Sequence, residues 1–97
     1  MLFVVECFMP QSRWADLATI ERSARSAADR ISAEGEPVQY VRSTFVASDE
    51  MCIHIFTAGS TETVLRASLA AGLDPIRIVE ALELDKDGTS TNEGDRS

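Results

Sequence analysis

The residue types best suited to chemistry in this sequence are a single histidine, two cysteines and a glutamate inside short apolar segments. Cys52 and His54 are separated by one residue, so a β-strand would place the thiol and the imidazole on the same side. Glu6 lies within a second apolar segment, residues 2–9, which is also typical of a strand. Carboxylate, imidazole and thiolate are donors that a divalent transition metal accepts. His54, Cys52 and Glu6 are therefore the candidate metal ligands.

The same residues offer little for catalysis. Two residues on the same face of one strand lie about 6.5–7 Å apart at Cα, too far for an easy hydrogen bond between Cys52 and His54. The five glycines are scattered and form no phosphate-binding loop. An isolated Cys-x-His pair is also typical of a hydrogen-bonded strand histidine beside an inert thiol. We therefore expect a binding protein rather than an enzyme.

The pattern of apolar residues predicts four strands and two helices. Short segments rich in β-branched and aromatic residues predict strands at 2–9, 38–47, 51–57 and 76–84. A long amphipathic helix is expected between Ser12, as its N-cap, and Gly35, and Ser60 is expected to cap a shorter helix over 61–71. The apolar stripe of the long helix consists of Leu17, Ile20, Ala24, Ala27 and Ile31.

The order of these elements, βαββαβ, predicts a ferredoxin-like fold of the α+β class, with both helices on one face of a four-stranded antiparallel sheet. Right-handed connections place the first and third strands in the centre, with the second beside the third and the fourth beside the first. This domain is expected to span residues 1–84. Residues 85–97 contain no apolar side chain and are expected to form a disordered acidic tail.

The other face of this sheet, which we call the open face, is expected to carry no helix. Alternation along the strands directs two apolar sets toward the helices: Phe3, Val5 and Cys7, and Met51, Ile53 and Ile55. The open face is then expected to carry Val4, Glu6, Phe8, Tyr40, Arg42, Cys52, His54 and Phe56. Two compatible interpretations follow. Two copies pack these faces together as a homodimer, and the same face lines a cavity in which Tyr40 and Arg42 contact a ligand.

Composition restricts the class of protein further. A chain of 97 residues supports one small core, so a second subunit on the open face would add burial. Sixteen acidic residues against nine basic ones give a net charge of −7, which argues against general nucleic-acid binding. Residues 1–10 do not resemble a signal peptide, and no stretch approaches the ~20 apolar residues of a membrane span. We expect a cytoplasmic protein with reduced thiols, although Cys7 and Cys52 could bridge if their strands were neighbours.

Four segments together resemble a known family. They are residues 3–6 (FVVE), 40–45 (YVRSTF), 49–56 (DEMCIHIF) and 71–80, which begins AGL and ends RIVE. In this order and spacing they are similar to a small actinobacterial family, a domain of unknown function represented by a nickel-binding protein. The resemblance covers residues 2–84. It implies a ferredoxin-like fold, a homodimer and nickel binding in at least one member, with no established enzymatic activity. Many members carry a histidine in the second helix, where residues 66–70 of this chain read RASLA.

Three functional hypotheses remain open. The first is a non-enzymatic homodimer that binds a divalent transition metal, nickel above all, through His54, Cys52 and Glu6. The second is a dimeric α+β barrel that binds or converts a small organic ligand between its two sheets, with Tyr40 and Arg42 among the contacts. The third is an interaction module with a fully packed interface and no cavity.

Overall fold

The computed structural model describes residues 1–82. The last two residues of the predicted domain, 83 and 84, and the predicted tail, 85–97, lie outside the described residues. The regular elements in chain order are β1 (Leu2–Phe8), α1 (Leu17–Ala33), β2 (Val38–Val46), β3 (Met51–Ala58), α2 (Thr61–Ala70) and β4 (Pro75–Ala81). Short 3₁₀ turns at Gln11–Asp16 and Ala47–Asp49 precede α1 and β3.

The four strands form one antiparallel sheet in the order β2-β3-β1-β4. This is the strand order that right-handed connections predict for βαββαβ, and the ferredoxin-like prediction is confirmed. The apolar stripe of α1 is confirmed at Ala24, Ala27 and Ile31, which are buried against the sheet.

The two helices begin differently. The hydroxyl of Ser60 accepts a hydrogen bond from the Thr63 amide at 3.2 Å, so the predicted cap of α2 is confirmed. Ser12 instead lies within the first 3₁₀ turn, and α1 begins at Leu17, later than predicted. The α2 helix ends before Gly72, whose φ of +82° is the left-handed conformation that favours glycine.

The strands β1 and β3 are paired so that residues directly opposite each other share a face. Phe3, Val5 and Cys7 of β1 are buried beneath the helices as predicted, and they lie opposite Phe56, His54 and Cys52. The three β3 residues are therefore also directed toward the helices, and each is 1% exposed or less. The predicted placement of Cys52, His54 and Phe56 on the open face is wrong.

The placement of Tyr40 on the open face is wrong as well. Tyr40 is opposite Phe56, whereas Arg42 is opposite Ile55, so a β-bulge at Val41 changes the face on which successive residues lie. Tyr40 is consequently buried under α1, and Arg42 remains exposed on the open face as predicted.

The open face is strongly apolar in the part of the chain that the structure describes. Ile53 and Ile55 lie in its centre instead of in the core, and Phe8 at its edge is 56% exposed. Its apolar members are Leu2, Val4, Phe8, Val46, Met51, Ile53, Ile55, Val79 and Ala81. Within residues 1–82, no helix has the length and apolar character needed to cross a membrane.

Candidate ligand-binding site

The central residue of the site is His54, which lies at the middle of β3 and is 1% exposed. Its Nδ1 atom is 2.6 Å from the hydroxyl of Ser43, the residue directly opposite on β2. That hydroxyl also forms a short hydrogen bond with the hydroxyl of Tyr40. The bulge at Val41 makes this chain possible, because it brings Tyr40 and Ser43, three residues apart, to the same face.

Aromatic and charged side chains surround Tyr40, the first residue of the hydrogen-bond chain that runs through Ser43 to His54. The rings of Tyr40 and Phe56 meet edge to face with centroids 5.5 Å apart. The guanidinium of Arg25, on α1, lies 4.9 Å from the centroid of the Tyr40 ring. Arg25 also pairs with Glu21, one helical turn earlier, at 3.4 Å.

Burial raises the pKa of Tyr40, and the hydrogen bond to Ser43 partly offsets this effect. The phenol therefore stays protonated at neutral pH.

A cavity of about 290 Å³ lies between the beginning of α1 and the sheet. We call it the His54 cavity. It is lined by Leu17, Ala18, Glu21, Ser43, Phe45, Cys52 and His54. The ring of Phe45 is held in place by Trp14, which packs edge to face against it with centroids 5.0 Å apart. Trp14 in turn donates a hydrogen bond to the carbonyl of Met9. Trp14 thus packs at the β2 edge of the sheet.

His54 also borders a second cavity, of about 40 Å³, on the side of Cys7, Ile20 and Leu73. The imidazole thus belongs to the lining of both cavities. Its Nε2 atom is buried and has no hydrogen-bond partner in residues 1–82. An unpaired buried polar atom costs roughly 1–3 kcal/mol, so such an atom beside a cavity marks a place where a ligand group can bind.

Burial lowers the pKa of His54 below its ordinary value of 6.5, and the Glu21 carboxylate partly opposes this shift. In the unfolded chain the imidazole gains a proton near pH 6.5, whereas the folded protein resists protonation until a lower pH. The unfolded state therefore binds more protons in this window, and folding stability falls as the pH drops below 6.5.

We accordingly expect the free energy of unfolding, measured by urea titration, to decrease between pH 6.5 and the folded-state pKa of His54. The decrease should level off below that pKa, apart from the contribution of carboxylates. The His54→Gln variant should lose this component while keeping the carboxylate component at lower pH. An identical pH dependence in both proteins would contradict the burial of a neutral imidazole.

Cys7 and Cys52 are directly opposite each other on neighbouring strands, so the condition for a bridge is met, and both are free thiols in this structure. Burial raises the pKa of Cys7 to about 11, with a further contribution from Cys52, and burial also raises the pKa of Cys52. Both groups are therefore protonated and weakly nucleophilic at neutral pH.

The structure divides the predicted metal ligands between the two faces of the sheet. His54 and Cys52 lie under the helices, whereas Glu6 lies on the open face and accepts a hydrogen bond from Arg77 at 3.1 Å. Among residues 1–82, no three histidine, cysteine or acidic side chains are close enough together to hold a metal ion. Of the two predicted ligand contacts, Tyr40 belongs to the His54 hydrogen-bond chain and Arg42 lies on the opposite face.

Three residues of the site were not predicted from the sequence: Ser43, Glu21 and Phe45. The sequence offers one indication for Ser43: it is a polar residue in a mostly apolar strand, next to the strand that contains His54. Such a residue is a natural hydrogen-bond partner for an imidazole. Glu21 carries a weaker one, since it lies one turn after Leu17 on α1, beside the apolar stripe.

Comparisons with known proteins establish the fold. No protein family model matches the chain, and no curated protein matches it at a significant level. Among solved structures, the protein SCO4226 from Streptomyces coelicolor A3(2) is similar, with a TM-score of 0.64 over 84% of this chain and 95% of that one. The sequence identity is 13%, so this likeness concerns the ferredoxin-like fold alone.

Proposed function

We propose that this protein is a non-enzymatic homodimer that binds a small organic molecule in the His54 cavity. The observation that carries the proposal is a cavity of about 290 Å³ lined by His54, whose buried Nε2 atom has no hydrogen-bond partner among residues 1–82. That volume is near the lower end of the ~300–1,000 Å³ typical of small-molecule pockets. The lining is also of the usual kind, with apolar Leu17 and Phe45 and few polar groups.

The thiol and the hydroxyl nearest to His54 are poorly suited to nucleophilic attack. Cys52 is the one thiol that lines the His54 cavity, and its raised pKa keeps it protonated. Ser43 contacts His54, but through Nδ1, and its hydroxyl is already engaged with Tyr40. Within residues 1–82 no carboxylate forms a hydrogen bond with the imidazole, so the orienting third group of a catalytic triad is missing there.

Filling the His54 cavity tests the proposal. Ala18 lies on its wall and is exposed, so a tryptophan there should occupy much of the space without disturbing the core. We expect small aromatic fragments that bind the wild-type protein in ligand-observed NMR to bind Ala18→Trp at least tenfold more weakly. Ala33→Trp, at the exposed C-terminal end of the same helix, is the control and should bind like the wild type. Equal binding by Ala18→Trp and Ala33→Trp would place the ligand elsewhere.

The homodimer is proposed on the character of the open face. This sheet face groups its apolar residues together, with Ile53 and Ile55 half-buried and Phe8 exposed, whereas the apolar residues on a monomer surface are usually scattered singly. The charged groups among its paired strand residues include Glu6, Arg42 and Arg77. Two copies therefore meet there without the mutual repulsion expected from a net charge of −7. Both signs of charge are present, which suits a two-fold contact between identical surfaces.

A divalent transition metal, nickel in particular, is the second candidate ligand. The specific observation in its favour is the contact between Nδ1 and the Ser43 hydroxyl, because a metal-binding histidine usually donates its other ring N–H to a neighbouring acceptor. This candidate therefore requires the imidazole proton on Nδ1 and Nε2 free to bind the metal. His54 and Cys52 line one cavity, and the remaining donors would have to come from elsewhere. Calorimetric titration of the protein with nickel tests this candidate. No heat at micromolar protein, or the same isotherm with His54→Gln, would exclude it.

A further inference from the structure

We infer that His54 is held with its proton on Nε2, and that this N–H recognises a neutral hydrogen-bond acceptor, a carbonyl oxygen, on the ligand. The inference deepens the proposed small-molecule function and rests on it for the identity of the site. It follows from the order of donors and acceptors along the chain from Tyr40 through Ser43 to His54.

The order is fixed by the single hydrogen of the Ser43 hydroxyl. This oxygen contacts both the Tyr40 hydroxyl and His54 Nδ1. If it accepted from both, its own hydrogen would have no acceptor among residues 1–82, so the favourable arrangements have it donate to one and accept from the other. If it donated to Tyr40, the phenolic hydrogen would need a different acceptor. Tyr40 is 4% exposed, and Ser43 is the one hydrogen-bond partner of its hydroxyl within residues 1–82.

The favourable arrangement therefore runs in one direction. The more acidic phenol of Tyr40 donates to Ser43, and Ser43 donates to His54 Nδ1. Every hydroxyl hydrogen in the chain then has an acceptor. A neutral imidazole that accepts at Nδ1 carries its proton on Nε2, and burial keeps this imidazole neutral. The Nε2 atom, which has no partner among residues 1–82, is thus a hydrogen-bond donor.

The lining of the His54 cavity limits what this donor can bind. Glu21 contributes a carboxylate, and none of the lining residues is a lysine or an arginine. An anionic ligand group would meet the Glu21 carboxylate, which already pairs with Arg25, and no lysine or arginine lines the cavity to balance the added charge. A cationic ligand group offers no acceptor to the Nε2 proton. A neutral carbonyl on a mainly apolar body satisfies the N–H and contacts Leu17 and Phe45.

The first part of the test is the tautomer of the free protein. The chain contains one histidine, so the two imidazole nitrogens of ¹⁵N-labelled protein give an unambiguous NMR signal. We expect Nε2 to be protonated and Nδ1 unprotonated at pH 7.5. The Ser43→Ala variant, which lacks the donor to Nδ1, should show a mixture of the two tautomers. A proton on Nδ1 in the wild type would overturn the inference, whatever the ligand.

The second part compares three probes of similar shape. Acetophenone carries a neutral carbonyl, α-methylstyrene replaces that oxygen with an apolar CH₂ group, and benzoate carries an anionic acceptor. We expect acetophenone to bind at least tenfold more tightly than either of the others and to shift the Nε2 resonance. Equal affinities for acetophenone and α-methylstyrene would overturn carbonyl recognition while leaving the cavity as the binding site.

The two failures remain distinguishable. Binding of a probe that is unaffected by Ala18→Trp would contradict the proposed function, because the ligand would lie outside the His54 cavity. If none of the three probes binds, the carbonyl specificity is overturned together with the small-molecule function. The tautomer of the free protein still decides the proton order in that case.

Discussion

Replacing His54 by alanine is expected to lower the free energy of unfolding by about 3–4 kcal/mol. The substitution removes a buried aromatic ring from between two cavities and deprives Ser43 of its acceptor. Losses of this size follow from large-to-small changes in a core, and an unpaired buried hydroxyl adds to them. Urea unfolding at pH 7.5, where the imidazole is neutral, measures the effect.

The matched control is Thr57→Ala. Thr57 is on the same strand as His54, opposite Leu2 of β1, and its side chain lies on the open face. It should cost much less, within about 1 kcal/mol, because it removes a partly exposed side chain. A similarly small loss for His54→Ala would mean that His54 is solvent-exposed, as the alternation pattern alone indicates.

The second large effect is expected at the centre of the open face. Ile53→Glu should convert the dimer to a monomer, with self-association weakened at least a hundredfold, equivalent to about 2.7 kcal/mol. A carboxylate there would lie directly opposite Glu6, whose partner Arg77 is already engaged, and removal of two neighbouring like charges from water when two open faces meet is costly. Sedimentation velocity at micromolar protein should show the mass falling from twice that of one chain to that of one chain.

Leu69→Glu provides the control for this experiment. Leu69 is 59% exposed, but it lies on α2, on the opposite side of the sheet from the open face. It should leave the mass unchanged. A wild-type protein that sediments as a monomer would contradict the proposed dimer, and so would a dimer dissociated by Leu69→Glu and not by Ile53→Glu.

The fold could be predicted from local signals. The short apolar strands, the apolar stripe of α1 and the Ser60 cap each have a direct physical cause in neighbouring residues. The strand order then follows from the handedness of two connections. The start of α1 could not be predicted as well, because Ser12 is an acceptable cap and the 3₁₀ turn that replaces it is stabilised by packing of Trp14 on Phe45.

The orientation of β3 could not be predicted because both of its faces are apolar. One face has Met51, Ile53 and Ile55, and the other has Cys52 and Phe56 beside His54. Alternation of apolar and polar residues identifies the core face of a strand when the opposite face is polar. In β3 the face with Met51, Ile53 and Ile55 is the more apolar one, but the face with Cys52, His54 and Phe56 is buried under the helices. If the open face is buried in a dimer, its high apolar content has a physical reason that one chain alone does not reveal.

The site was mispredicted for a related reason. A regular β2 strand would put Tyr40 and Arg42 on one face, and the bulge at Val41 separates them. Such a bulge is hard to predict from the sequence, since valine is a common residue in regular strands. The bulge joins Tyr40 to Ser43, which gives the buried imidazole its partner. The structure thus places Cys52 and His54 together in the lining of one cavity, but not beside Glu6 and Arg42, the neighbours that the sequence predicts for them.

Ligand binding in the His54 cavity is tested most directly by a map of the residues that a ligand perturbs. Acetophenone is titrated into ¹⁵N-labelled protein, and the backbone amide shifts of residues 1–82 are followed. If the ligand occupies the His54 cavity, the largest shifts will be at Leu17, Ser43 and Phe45, under the beginning of α1. Largest shifts at Ile55 and Val79 would instead place the ligand on the open face between two sheets, and would contradict binding in the His54 cavity.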